Sequence, residues 1–277
     1  MAALSFHARS NSFPAESHPL VSEIDEQVCR LRQSQAASTS SSISHKLNGL
    51  QDLYGIVDKL LQLSTTQQAL ANDQKCFNEV LEGSLRLLDL CNTAKDALSQ
   101  MKESVAELQS AIRRRQGGLE GETRRYLKSR CMVKKAIQKA LKGMDSKKSV
   151  SSNNIETVAM LKEAESAVVE VLECLLLFIS QTSSKSSSWS LVSKLMTNQK
   201  PVCQENEFAD VDASLKMNNS ADEVQVQLKS LTNKSGEEVQ VHLKNLQPCI
   251  QDLEEGVEWL LRRVIKTRAS ILNIHNL

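Results

Sequence analysis

Glycine, proline and aromatic residues are all scarce in this chain, with nine Gly, four Pro and 3% Phe, Trp and Tyr among 277 residues. Sandwiches, barrels and doubly wound sheets draw on these residues for tight turns and strand faces, so their shortage leaves helix as the expected state. Cysteine is present but unpatterned. Seven thiols, at positions 29, 76, 91, 131, 174, 203 and 249, form an odd, dispersed set without Cys-x-x-Cys. That points to neither a disulfide framework nor a zinc site, and reduced, mostly buried thiols are expected. Long apolar runs are missing too. The longest, CLLLFI at 174–179, falls far short of the roughly eighteen residues of a membrane span, so no transmembrane helix is expected. The N-terminal MAALSFHARSNSFP has Arg and Ser and no acid before Glu16, in the manner of an organellar transit peptide. It has no apolar signal-peptide core, however, and Ala2 rules out glycine-dependent myristoylation. A cytoplasmic protein, at most peripheral to a membrane, is expected.

Signatures of catalysis are also lacking. His7, His18, His45, His242 and His275 are scattered without HExxH spacing, and neither G-x-S-x-G nor Walker A occurs. Gly117-Gly118-Leu119-Glu120-Gly121 looks like a phosphate-binding loop, but without a preceding strand it reads as a helix connection. Acidic clusters such as Asp252 with Glu254 and Glu255, or Glu237 with Glu238, suit helix starts, where carboxylates favour the dipole. The expectation is a non-enzyme with no catalytic residue, no metal ligands and no cofactor.

What the chain does have is helical periodicity. Ile43, Leu47, Leu50, Tyr54, Val57 and Leu61 recur at spacings of three and four. Phe77, Val80, Ser84, Leu87, Cys91, Ala94, Leu98, Met101, Val105, Leu108 and Ile112 keep that alternation over five heptads, a helix about 54 Å long. Gly83 is a weak point in it, and Gly117-Gly118 a natural stop after Arg113, Arg114 and Arg115, cations that suit a helix C-terminus. From 155 to 180 apolar residues lie nearly all round, as in a central helix. The last helix is expected to begin near Pro248 and to run through Ile250, Leu253, Val257, Leu260, Val264, Ile271 and Ile274. Between these stretches QAASTSSS (35–42), GMDSKKSVSSNN (143–154) and QTSSKSSSWS (181–190) are too polar to bury. They read, with the weakly patterned 200–222, as flexible segments. EVQVQLKSL at 223–231 and EVQVHLKNL at 238–246 match at seven of nine positions, a local duplication with an expected turn at 233–236. The whole reads as all-α: an elongated bundle of about six to seven helices, some long and coiled-coil-like, behind a disordered tail (1–19) and within one domain (20–277). Self-association through the exposed side of the 77–112 helix stays open, because heptad spacing does not separate a homo-oligomer from intramolecular packing.

Charge is segregated. Residues 113–142 hold eleven Lys and Arg against two Glu, +9 within a chain of net charge +1, so the other 247 residues carry −8. Within this stretch Arg124, Arg125, Lys128, Arg130, Lys134, Lys135, Lys139 and Lys142 come without an acid, and Tyr126, Val133, Ile137 and Leu141 lie on one side. This is a basic amphipathic helix and the candidate interaction face. It suits an anionic bilayer or a protein groove, and nucleic-acid phosphates less well, since no nucleic-acid fold signature accompanies it. A solvated face of a bundle helix would look the same. In the tail, Arg9-Ser10-Asn11-Ser12-Phe13-Pro14 makes Ser12 a candidate phosphosite for a basic-pocket phosphoserine reader.

SFHARSNSFPAESHPLVSEIDEQVCRLR (5–32), SSISHKLNGLQDLYGIVDKLLQL (41–63) and LEEGVEWLLRRVIKTRASILNI (253–274), with GSLRLLDLCNTAKDAL (83–98), RRRQGG and VKKAIQKALK, together carry a resemblance. The chain resembles the plant BYPASS-like proteins over essentially its full length. The resemblance implies an all-helical land-plant protein associated with root and shoot development, with no assigned catalytic activity. Its expected role is that of a regulator or adaptor acting through protein partners, with peripheral binding of anionic lipid through 124–142 as the alternative.

Overall fold

A computed structural model describes residues 18–33, 39–114, 119–145, 156–180, 206–219 and 228–275. Among them the chain forms eight helices and no strand: α1 (Pro19–Gln33), α2 (Ser40–Gln62), α3 (Ser64–Asn72), α4 (Gln74–Arg114), α5 (Leu119–Asp145), α6 (Glu156–Ser180), α7 (Glu207–Asn219) and α8 (Leu228–His275). The all-α expectation holds, with one or two more helices than the periodicity shows.

The two longest helices set the frame. α4 has 41 residues and α8 has 48, about 60 and 70 Å, and they lie antiparallel. Lys102 bridges to Gln251 and Glu254, Gln109 donates to the Leu243 carbonyl (3.0 Å), and Arg268 donates to the Leu81 carbonyl (2.6 Å) and to Ser84 Oγ (2.8 Å). Arg268 thus satisfies Ser84, the one polar member of the α4 seam. Every other residue of that seam up to Leu108 is buried. α6 packs on α1 to α5, and its buried residues lie nearly all round, from Val158 to Ile179. It is the central helix that its composition implies.

Ends are closed by side chains. Asp73 accepts from the Lys75 and Cys76 amides at the start of α4 (3.0 and 3.1 Å), and Thr39 accepts from Ser42 N at the start of α2, each relieving an orphan helix amide. Gly83 does not break α4. A Cβ there would collide with the Glu165 carboxylate of α6, which is paired with Arg86, so the missing side chain admits that pair.

Four expectations are corrected. Residues 40–42 and 143–145 are helical, and within 200–222 lies α7, whose Phe208, Val211 and Leu215 are fully buried. The apolar spacing of α7 is obscured because a charged residue, Asp212, also faces inward. The turn expected at 233–236 is absent, and Pro248 lies inside α8 rather than at its start. An interior proline costs about 3 kcal/mol, but the buried series Val239, Leu243, Leu246, Ile250 and Leu253 runs straight across it. Finally, the thiols are not mostly buried. Cys76 and Cys91 are, Cys174 and Cys249 are half-buried, and Cys29 and Cys131 are exposed; Cys203 lies outside the described residues, as do Gly117, Gly118 and the 181–190 stretch.

Burial pushes the Cys91 thiol up to about 12, leaving almost no thiolate at neutral pH. Maleimide labelling of the native protein at pH 7 is therefore expected to modify Cys29 and Cys131 first and to reach Cys76 and Cys91 only on unfolding. Mass spectrometry of labelled peptides checks the order, and early labelling of Cys91 would contradict this packing.

Candidate functional site

α5 carries the basic segment, and its rotation about its own axis is set by what it buries. Tyr126, Val133 and Ile137 face the core, as their spacing implies, but so does Arg130, which is 2% exposed. Its guanidinium donates to the Asp212 carboxylate of α7 (3.1 to 3.3 Å) and to the Ile179 carbonyl near the end of α6 (2.7 Å), and it stacks over Phe208 at 4.8 Å. Lys134, half-buried, adds a bond to Asp212 (3.2 Å). Beneath them the Tyr126 phenol is pushed up by burial, and further by the charge of Asp212. Arg130 is thus removed from the candidate interaction face. A charge at a core-facing position is tolerated because its partners are buried with it.

The other cations point outward. Arg124 and Arg125 are exposed and bound to their own helix, by Glu120 (2.7 Å) and Glu122 (3.1 Å), pairs worth a few tenths of a kcal/mol. Lys128, Lys135, Lys139 and Lys142 are exposed at spacings of seven, four and three, one side of a helix. None of these four has an ion pair among the described residues. Met132, 48% exposed, and Cys131 lie within this row.

Beside the row runs a cleft of about 540 Å³ between α4 and α5. The helices are antiparallel, as the Ser104 to Ser129 hydroxyl bond (2.7 Å) registers them. Small residues line much of the cleft, Thr93 and Ala97 from α4 and Ala136, Ala140 and Gly143 from α5, with the larger Leu90, Gln100 and Val133 among them. Asp89 and Asp96 stand on its α4 wall, with Arg86, itself paired with Glu165, at one end, and Lys139 stands on its α5 wall. The two aspartates continue along the exposed edge of α4 into Glu103 and Glu107. None of the four has an ion pair among the described residues. At the cleft, therefore, Asp89 and Asp96 of the acidic row face Lys139 of the basic row across a floor of mostly small residues, and no ion pair joins the rows among the described residues. The acidic row has a seven-residue period visible in the sequence, but nothing there says that it borders α5. Asp212 gives no signal at all.

Ser12 lies outside the described residues. Among the described residues no three His, Cys, Asp or Glu come together as a metal site, and no helix is long and apolar enough to cross a membrane. Arg113 and Arg114 bond back within the last turns of α4, to Gln109 Oε1 and the Ser110 carbonyl (3.3 Å each), as cations near a helix C-terminus do.

A family model described as Protein BPS1 matches residues 46–274, from early α2 to the end of α8. The chain belongs to the BPS1, or BYPASS, family. No curated protein and no solved structure matches it. The match takes in both walls of the cleft and the Arg130–Asp212 pair. BPS1 proteins are linked to plant development as regulators that are not enzymes.

Removing one partner of a buried ion pair typically costs about 3–5 kcal/mol. Arg130→Met in this BPS1-family chain is accordingly expected to lower stability by that order in urea denaturation, and Arg130→Met with Asp212→Leu to regain much of it. A single variant as stable as the parent would place Arg130 in solvent.

Proposed function

We propose that this chain is a non-enzymatic helical regulator or adaptor of plant root and shoot development, acting through protein partners. The observation that carries the reading is the row of Lys128, Lys135, Lys139 and Lys142, which is exposed, held on a well-packed helix and without an ion pair among the described residues. A row of charge so placed raises the local potential and steers complementary surfaces toward it. Its four cations lie within about 21 Å of helix, the scale of one protein contact.

Attachment to anionic lipid is favoured by one observation, the exposed Met132 among these lysines. Magnitudes decide against it. Each lysine contributes roughly 1 kcal/mol at an anionic surface, so four give about 4 kcal/mol, a dissociation constant near 1 mM, with one methionine as the apolar anchor. A protein surface adds shape and buried area to the same charges.

The variant Lys128→Gln/Lys135→Gln/Lys139→Gln/Lys142→Gln tests both readings. Its circular dichroism and melting temperature are expected to match the parent, because all four side chains are exposed. In plants lacking the protein it is expected to fail to restore root and shoot growth where the parent succeeds; equal restoration would remove the basis of the proposal. In co-sedimentation with phosphatidylserine vesicles at 0.15 M salt, the parent is expected to stay in the supernatant, and salt-sensitive pelleting lost in the variant would favour the lipid reading instead.

A further inference from the structure

We propose that the α4–α5 cleft is the docking site for an amphipathic helix of a partner protein, one that carries acidic residues along one flank and basic residues along the other. This deepens the adaptor reading and rests on it. Three features of the cleft converge on such a partner. First, its floor is small. Thr93, Ala97, Ala136, Ala140 and Gly143 present little beyond their first side-chain atoms, with Leu90 and Val133 as the larger apolar members, and a mostly small surface lets a third helix settle toward the short end of the 8 to 10 Å range of interaxial distances. Second, its shape is linear. The lining runs from residue 86 to 100 on α4 and from 133 to 143 on α5, about 21 and 15 Å of parallel wall, which matches three to four turns of helix lying in a groove.

Third, the walls differ in sign. Asp89 and Asp96 stand on one side, with Arg86 at its end neutralised by Glu165 of α6, and Lys139 on the other; Glu103 and Glu107, and Lys128, Lys135 and Lys142, continue the two rows beyond the cleft. A helix with acidic residues on both flanks would set half of its charge against the α4 row, and one with basic residues on both would oppose the α5 row. Like charges brought together at an interface cost several kcal/mol, so the walls select a helix of mixed flanks and also set its direction, since reversing it exchanges the flanks. A membrane surface, which presents one sign throughout, meets the same conflict at the α4 row.

Three designed peptides of about twenty residues test the assignment. They share one apolar Leu/Ala face and differ only in flanks: Glu on one and Lys on the other, Glu on both, or Lys on both. Fluorescence anisotropy with the full chain is expected to show the mixed peptide binding at least tenfold tighter than either uniform one. Asp89→Lys with Asp96→Lys is expected to shift the preference to the all-Glu peptide, and Ala140→Trp to weaken all three by obstructing the floor. The melting temperature of each variant confirms folding. If the all-Glu peptide binds the parent best, the lysine row acts alone, so the adaptor reading stands and the groove assignment falls. Equal affinities for the three peptides, indifference to the aspartate changes, or tighter binding to phosphatidylserine vesicles than to any peptide would each overturn it. Failure of the adaptor reading is read separately, as growth restored by the lysine-to-glutamine variant.

Discussion

The burial of Arg130 against Asp212 is the constraint on which the functional face depends. A helix with cations distributed along it could present them in many directions, and the direction is set by which residues are driven inward. In α5 these are Tyr126, Val133, Ile137 and Arg130, with the small Thr123 and Ser129 beside them. With Arg130 inward, the remaining unpaired cations fall into one outward row. The same pair holds α7 in place: Asn206 caps it by accepting from the Phe208 and Ala209 amides while donating to the Phe178 carbonyl of α6, and Glu207 accepts from Ser40 at the start of α2. A thirteen-residue helix with weak apolar patterning is thus tied by polar bonds to three parts of the bundle.

Electrostatics elsewhere follows a different rule. Arg32 of α1 grips Glu163 and Glu170 of α6, Arg86 grips Glu165, and Arg263 and Lys266 of α8 share Asp58 of α2. These pairs join helices distant in sequence. The Arg32 pairs are exposed and add at most about 1 kcal/mol each, whereas Arg86–Glu165 and Arg263–Asp58 are partly buried. The α4 and α5 rows stand apart, since Asp89, Asp96 and Lys139 line one cleft and neither row has an ion pair among the described residues. A chain of net charge +1 keeps opposite charges apart there, where elsewhere it brings them together.

Much of the fold is legible in the sequence. The seams of α2, α4 and the second half of α8 are read correctly because their apolar residues are broken only at Ser84 and Thr267, and α6 is recognised as central because it is apolar on nearly every side. What escapes are places where a local rule is overridden by tertiary packing. Pro248 signals a start, yet the buried stripe carries α8 through it. Asp212 hides α7 by occupying a core-facing position. Arg130 reads as surface charge because its partner lies 82 residues away. The basic face was legible in outline, and its correction required knowing where α7 docks. The acidic wall was legible as a spacing but not as a wall, because no local signal states which helix lies beside α4.

Lysine footprinting of the full chain, free and with the mixed-flank peptide, tests most directly whether the outward row of α5 is a docking surface. In the free protein Lys128, Lys135, Lys139 and Lys142 are expected to acetylate quickly, and Lys134, held by Asp212, slowly. With the peptide, Lys135, Lys139 and Lys142 are expected to become protected while Lys59, on α2, stays reactive. Rapid modification of Lys134 in the free protein would contradict the orientation of α5. Unchanged reactivity of the row with saturating peptide would contradict its role as a docking face.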